Sequence, residues 1–378
     1  MTIAMASKTW HIPVDTIYNY IKDTFVACGV PASDAKIIAD VLIESDLRGI
    51  ESHGIGRLYY YYTRIKAGQH KVKTEFKIVK EGKTTAVIDG EHGQGHVIAY
   101  NAMKLAIKKA KEHGIGAVAV RNSTHFGICG YYTKMATDAD MIGIVCTNAR
   151  PSIAPTWSVE PMLGTNPLAF AMPSDEPFPF SLDCATSIIQ RGKVEIADRA
   201  GKSLAPNLVI GPDGNSMTNA PEILKLMTED KAALLPLGGA GEQFAGYKGY
   251  GYATVVEILS AALSNGSFLK AINGVDENGK KTFFRVGHFF MAIDPAEFAG
   301  LDVFKKTTGD ILRSLRAAKK APGANRIWTA GEKEYYSIAE VKQKGVPINE
   351  GLAREILSIK KALNLDSYKF PFDDVIKI

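Results

Sequence analysis

Ile115-Gly116-Ala117-Val118-Ala119-Val120 is an unbroken apolar run, and Arg121-Asn122-Ser123-Thr124-His125-Phe126-Gly127-Ile128-Cys129-Gly130 carries the chain from it into Tyr131–Ala139. The run reads as a buried strand and Tyr131–Ala139 as a helix. A strand that delivers the chain into a helix is the unit of an α/β fold. It sets His125 at the carboxyl end of a strand, where open α/β sheets bind their ligands.

Outward from this crossing the pattern divides. The N-terminal quarter reads as helical: Pro13–Cys28 carries Ile17, Tyr20, Ile21 and Phe25 at helical spacing, a second helix starts at Ser33, and a third spans about Gly56–Ala67. Strands Phe76–Lys80 and Thr85–Asp89 and a helix His96–Glu112 lead into the run. Beyond it the spacing predicts strands at Ile142–Thr147, Leu168–Met172 and Phe283–Ile293, with helices at Ser187–Arg199 and Gly251–Leu263. Val275–Lys281 reads as an exposed hairpin or loop, and helices Val303–Ala318 and Leu352–Leu363 are expected to return to the N-terminal helices. At 378 residues the chain exceeds a single core. Two lobes are expected, residues 1–120 with 295–378 and residues 121–294.

Composition excludes several classes. Hydrophobic content of 46% and charged content of 22% are ordinary for a soluble globular protein. The net charge of +5 and pI near 8.8 are mild, and lysines alternate with acids as in Lys108–Glu112, so no nucleic-acid surface is expected. No apolar run reaches membrane-spanning length, and Met1–Thr9 has no apolar core behind a basic start. Cys28, Cys129, Cys146 and Cys184 lack pairing or ligand spacing, which suits reduced thiols in the cytoplasm.

A second histidine lies in Asp46-Leu47-Arg48-Gly49-Ile50-Glu51-Ser52-His53-Gly54-Ile55-Gly56-Arg57. Gly54 leaves the His53 imidazole open to close approach. Arg57 follows four residues later, so a helix starting near Gly54 brings its guanidinium beside the ring. An imidazole next to a permanently charged fork suits a small carboxylate that gains or loses a proton. His92 and His96, four apart with His113 beyond, raise a metal-dependent hydrolase as the rival class. Gly93 and Gly95 oppose a helix between them, so no metal is expected.

Further on come Leu163-Gly164-Thr165-Asn166-Pro167, Leu182-Asp183-Cys184-Ala185-Thr186-Ser187 and Gly246-Tyr247-Lys248-Gly249. With Asp46–Arg57 and His125-Phe126-Gly127 they stand in the order of the type 2 malate/L-lactate dehydrogenase family, which the chain resembles over about residues 14–350. The resemblance implies a two-lobed, non-Rossmann α/β oxidoreductase fold with a helical N-terminal segment. Residues 1–120 with 295–378 would form the helical, substrate-binding lobe and 121–294 the cofactor-binding lobe. The sequence agrees in one respect: no Gly-x-Gly-x-x-Gly opens a strand-to-helix turn, and the nearest approach, Gly93-Gln94-Gly95-His96-Val97-Ile98, lacks the third glycine and is placed outside the cofactor lobe.

The resemblance also implies roles. Ser52, His53 and Asp183 would form a relay, with His53 favoured as acid–base and His125 the contender. A helix cap is the alternative reading of Asp183. Arg57 would bind the substrate carboxylate, with Thr165, Asn166 and Lys193 lining the pocket. His125, Phe126, Gly127, Ile128, Cys129, Lys248 and Gly249 would meet the cofactor, NAD or else NADP. Pro322–Arg326 falls where relatives touch the adenosine half. The expected substrate pair is malate and oxaloacetate. Lactate, sulfolactate, ureidoglycolate, diketogulonate and cyclic imino acids are the family's alternatives. A homodimer is expected, both from relatives and from the aromatic load of Tyr59–Tyr62.

Overall fold

The computed structural model describes residues 8–377; Met1–Ser7, within the stretch read above as lacking a leader, lie outside the described residues. Strand β1 (Thr9–Ile12) leads into helices α1 (Val14–Ala27) and α2 (Ala32–Leu47) and, after a single 3₁₀ turn at Ile55–Arg57, α3 (Leu58–Lys66). Next come β2 (Lys77–Glu81), β3 (Thr85–Asp89), α4 (Gly95–His113), β4 (Ile115–Ser123), α5 (Cys129–Thr137), β5 (Ile142–Thr147), β6 (Leu168–Met172) and β7 (Phe180–Cys184). A small excursion holds α6 (Arg191–Arg199), β8 (Val209–Ile210), α7 (Ala220–Thr228) and β9 (Ala233–Leu234) before α8 (Gly246–Ala261). β10 (Val286–Ile293), α9 (Leu301–Ala317), α10 (Glu332–Lys344), β11 (Val346–Asn349) and α11 (Glu350–Ala362) complete the order.

The main sheet has seven strands in the order β2-β3-β4-β10-β5-β6-β7. Only β3 and β4 pair in parallel, through the α4 crossover; every other pairing is antiparallel. Such a mixed sheet is not the doubly wound parallel sheet that a glycine fingerprint would announce. Helices α4 and α5 cover one face, where Ile98, Met103, Val118, Tyr132 and Phe290 form a continuous core. On the other face α8 packs Val256 against Cys146 and Phe289. The approach on this second face is close because Gly287 has no side chain: a Cβ there would stand 2.0 Å from the Ser260 carbonyl oxygen of α8.

A separate apolar core gathers α1, α2, α3 and α11 around Tyr20, Phe25, Ile38, Tyr61 and Phe372. Its ends are tied by β1 pairing with β11 and by the Tyr20 hydroxyl donating to the Ile356 carbonyl at 2.7 Å. The tail helix returns there as expected. Helix α9 does not. It leans on the loop after β6, where Arg313 meets Asp175 at 2.9 Å and Arg316 meets Glu176 at 2.6 Å.

The boundary expected at residue 120 falls inside β4, and β2, β3 and α4 belong to the sheet unit. A third small core around Ile153, Val209, Ile223 and Leu234 serves the excursion. The helix expected from Ser187 begins at Arg191, since Thr186 and Ile188 are drawn out as bridging backbone, donating to the carbonyls of Thr165 and Leu235. Among the described residues no helix is long and apolar enough to cross a membrane.

Candidate active site

The pairing registers bring the carboxyl ends of β3, β4, β5 and β7 together with the amino ends of β6 and β10. His125 stands at this end of the sheet, two residues past β4. The amino end of α4 is wedged beneath it. Gly95 N–H donates to Thr124 Oγ1 at 2.8 Å, and that hydroxyl donates to the Gly93 carbonyl at 3.0 Å. A Cβ on Gly95 would lie 2.2 Å from the Thr124 carbonyl oxygen, so only glycine fits. The incomplete glycine element of the sequence is thus not remote from the site; it forms its floor.

His53 arrives from the other unit, on the turn between α2 and α3. Asp46, 2% exposed, accepts the Ile55 N–H at 2.8 Å and pins this turn. Gly54 is compulsory, because a Cβ there would fall 1.8 Å from Asp46 Oδ1. Burial holds the Asp46 carboxyl well above the usual carboxylate range.

The two turns set the His53 and His125 rings face to face, centroids 5.6 Å apart and 29° from parallel. Ser52 Oγ lies 2.9 Å from His53 Nδ1. Tyr61, fully buried, brings its hydroxyl 2.6 Å from His125 Nδ1, and Gly127 N–H donates to the same nitrogen at 3.3 Å. With an amide donor on Nδ1, the proton of the neutral ring sits on Nε2. Arg57 lies near enough for its charge to act on both rings, with its guanidinium 5.8 Å from the Tyr60 ring centroid. It makes no salt bridge among the described residues, the Glu355 carboxyl lying within reach of its charge only. Its Nε is buried without a hydrogen bond. Burial, aided by Arg57, pushes His53 down to about 4. Burial, then His53 and Arg57, pushes His125 well below its ordinary value. A cation beside two uncharged imidazoles is an anion site equipped for proton exchange.

The other expected residues are placed variously. Asp183 is not hydrogen-bonded to His53; its Oδ2 accepts Gly130 N–H at 2.6 Å, capping α5, with Arg48 alongside. The alternative reading of a cap therefore describes its contact, though on a helix 53 residues earlier in the chain. Asn166 is fully buried: Oδ1 accepts from Ala149 N–H, while Nδ2 donates to the Ala253 carbonyl and to Glu257. Its amide thus fastens α8 to the sheet end, and Thr165 beside it is half-buried. Phe126 is stacked between Tyr132 and His288 at 4.9 and 4.5 Å, and Ile128 and Cys129 are equally buried. Gly127 has φ +83° against Val41. All four residues Phe126–Cys129 are buried, so none presents a side chain at the surface of the site. Lys193 and Lys248 are exposed, on α6 and at the start of α8. Gly249 serves close backbone packing, since a Cβ there would meet the Leu237 carbonyl oxygen at 2.2 Å. Arg326 is sandwiched by Trp328 and Tyr336 and paired with Glu332.

Among the described residues no three His, Cys, Asp or Glu side chains converge as metal ligands. His92 stacks on Phe283, whereas His96 is buried against Tyr61. The residue pattern gives no sign of the buried His70 and His288 at the site; it offers His96 only as a metal ligand and Tyr61 only as part of an aromatic run. The spacing held one usable signal, since Tyr61 follows Arg57 by one helical turn.

A mixed-sheet α/β fold with two neutral imidazoles and a free guanidinium at one sheet end defines an enzyme for small anionic substrates. The sequence pattern of the malate/L-lactate dehydrogenase family matches residues 12–357. Malate dehydrogenase from Pyrococcus horikoshii is 41% identical over 355 residues, 94% of this chain and 96% of that protein. L-sulfolactate dehydrogenase from Methanocaldococcus jannaschii is 39% identical over 352 residues, covering 92% and 96%. The crystal structure of malate dehydrogenase from Entamoeba histolytica is similar with a TM-score of 0.92 at 41% identity, covering 97% of this chain and 100% of that one. The chain belongs to the malate/L-lactate dehydrogenase family, a family of oxidoreductases.

The buried histidines carry a stability consequence. His53 is pushed down to about 4, and His70, His96 and His288 to about 3, chiefly by burial. The unfolded chain therefore binds more protons than the folded one below the ordinary value of 6.5. This stability is complete above that value and is lost as pH falls toward the folded-state values. Each such group adds about 1.4 kcal/mol per pH unit at most. Urea unfolding at about pH 7, 6 and 5 should show the midpoint falling more steeply than one group allows. A flat profile would show that these rings are not held neutral.

Proposed function

We propose that this protein is a nicotinamide-dependent 2-hydroxy-acid dehydrogenase that interconverts malate and oxaloacetate. The observation that carries this reading is the unpaired Arg57 guanidinium beside two uncharged imidazoles. The relatives named as malate dehydrogenases support the same choice. Arg57 takes the carboxylate next to the reacting carbon as a bidentate pair. A second carboxylate calls for a second cation, and exposed Lys193 is the candidate.

A dehydrogenase of this family implies a nicotinamide cofactor, and the residues present fit one. The hydroxyl of Ser187 is buried without a partner at the site's end of the sheet, beside the loop that opens α8. Ala245, in the left-handed region at φ 61°, turns that loop into the first turn of α8, and exposed Lys248 follows. A helix amino end with a lysine suits phosphate. These residues would hold the cofactor's phosphates, NAD by preference and NADP as the alternative. When bound, the cofactor supplies or accepts the hydride at the carbinol carbon.

Sequence reading favoured His53 as acid–base; the geometry favours His125. A buried phenol fixes the tautomer of His125, whereas His53 Nδ1 rests on the hydroxyl of its neighbour Ser52 and Asp183 is engaged elsewhere. In this reading His53 donates to the substrate oxygen and His125 exchanges the proton. His125→Ala should therefore lower kcat by about 100-fold or more, while His53→Ala should raise KM more than it lowers kcat. The opposite pattern would return the acid–base role to His53.

Reduction of oxaloacetate, pyruvate and 2-ketoglutarate at matched concentrations with NADH and then NADPH tests the substrate. Oxaloacetate should exceed pyruvate in kcat/KM by about tenfold or more, roughly 1.4 kcal/mol of transition-state preference. Equal rates would remove the malate assignment, and no reduction of any keto acid would remove the dehydrogenase reading.

Free cysteines throughout the described residues suit a reducing compartment such as the cytoplasm. A homodimer also belongs to this reading. Of the Tyr59–Tyr62 run, Tyr61 is buried within its own chain and Tyr59 is exposed, while the outer face of α8 exposes Tyr252, Val255 and Ile258 at 58%, 47% and 56%, with Leu263 just beyond. These residues repeat at helical spacing and form the kind of apolar stripe that subunit contacts cover. Light scattering at micromolar concentration should give twice the chain mass, and Ile258→Glu should reduce it to one. A monomeric wild-type mass would exclude the dimer.

A further inference from the structure

Behind His125 lies a set of polar groups that the reading above does not use. The Tyr61 ring, buried completely, is flanked by His96 at 4.8 Å and His70 at 6.4 Å between centroids. Both ring nitrogens of His70 and both of His96 are buried without a hydrogen-bond partner in the protein. His288 adds an Nε2 in the same condition, its Nδ1 being 2.7 Å from Thr147 Oγ1. His96 also lies under the catalytic turn: a Cβ on Gly127 would come 3.7 Å from its Nε2. Buried polar atoms without partners are costly, and in clusters they are ordinarily met by internal water. Three imidazoles in one core are not needed for packing, which apolar side chains of similar size would achieve at lower cost.

His125 poses a chemical problem that this cluster answers. Its neutral ring carries the proton on Nε2, and burial beside His53 and Arg57 opposes a second proton. If it gave up the Nε2 proton alone it would become an imidazolate. The transfer is feasible only if Nδ1 gains a proton as Nε2 loses one. Of the two groups on Nδ1, the Gly127 amide cannot give up its proton, and the Tyr61 phenol can.

We propose that Tyr61, backed by His96 and His70, is a proton relay that lets His125 act by exchanging tautomers without becoming charged. In the reducing direction the Nε2–H bond of His125 breaks and its proton goes to the substrate oxygen, leaving the electron pair on Nε2. The Tyr61 O–H bond breaks in the same event, and its proton bonds to Nδ1. The phenolate oxygen is reprotonated through ring nitrogens of His96 and His70 with water as carrier. When product leaves, Nε2 takes a proton from solvent while Nδ1 returns its own to Tyr61 and the relay releases one. The Nε2–H tautomer is thereby restored, with one net proton drawn from solvent per turnover. Oxidation runs the same transfers backward. Burial raises the Tyr61 phenol far above its ordinary value, so the phenolate is not a resting state and the two transfers are coupled.

This inference rests on His125 being the acid–base, and its tests separate the two. Tyr61→Phe keeps the ring and removes only the hydroxyl. It should lower kcat by about tenfold to a hundredfold, at the lower end of acid–base effects, with KM for the keto acid and cofactor affinity unchanged. The proton inventory of kcat in mixed H₂O and D₂O should be bowed in the wild type, showing more than one proton in flight, and linear in Tyr61→Phe. His96→Phe should lower kcat with the same unchanged KM. A purely structural tyrosine would instead move KM and thermal stability together and leave the inventory as it was. Nitrogen-15 NMR of labelled histidine in the wild-type protein supplies a readout independent of turnover. It should place the His125 proton on Nε2 and show mixed tautomers in Tyr61→Phe. A wild-type proton on Nδ1, a linear wild-type inventory, or undiminished kcat in Tyr61→Phe would overturn the relay. If His125→Ala leaves turnover intact while the tautomer is as stated, the acid–base reading fails and the hydrogen bond survives as structure alone.

Discussion

The contact between Gly95 and the backbone of Thr124 and His125 is the constraint on which the rest of the site depends. It joins the first turn of the crossover helix to the end of the strand that the helix serves, with no room for a side chain between them. The Thr124 hydroxyl completes the joint by bridging Gly95 and Gly93. Because α4 is packed along the sheet over its whole length, this joint transmits the rigidity of the sheet core to a loop that would otherwise be free. A catalytic side chain needs that kind of support more than it needs neighbours of its own.

The second unit reaches the same place by a different device. Asp46 holds the turn of His53 and Arg57 from within α2, and Gly54 admits the carboxyl. The site is thus assembled across two cores, each contributing one imidazole. In this water-poor setting Arg57 gains force as an anion receptor while the histidines lose their charge. The same burial that weakens an imidazole as a base leaves the guanidinium ready for a carboxylate.

Much of this was legible in the residues, and the parts that were not have physical causes. The apolar run Ile115–Val120 and the helices α1 and α2 carry strong periodicity, so their place in the fold follows from pattern. Helix α10 buries only Glu332 and Val341 and shows no apolar stripe, and β8 and β9 are two residues each. Such elements exist because of what surrounds them. Residue type singled out His53, Arg57 and His125, and the fold stacks the two histidine rings against each other. Asn166 shows the limit of that approach: an amide in a polar motif reads as a ligand, yet all of its capacity is spent on Ala149, Ala253 and Glu257. Tyr61 was hidden for the opposite reason. A tyrosine in an aromatic run reads as bulk, and only its hydroxyl distance reveals a partner.

The position of β10 in the sheet has a consequence for how the chain is made. Phe290 lies between Val118 of β4 and Val145 of β5, so the two earlier strands are separated by one that leaves the ribosome much later. Until then β4 and β5 present unpaired backbone edges and an open apolar face, the condition in which nascent sheets associate wrongly. The final closure waits longer still, since β1 finds its partner only when Val346–Asn349 has emerged. A topology with so many distant pairings folds slowly. The helical N-terminal unit, which cannot complete its own core without α11, shares the delay, so synthesis must run nearly to its end before either half of the site has a scaffold.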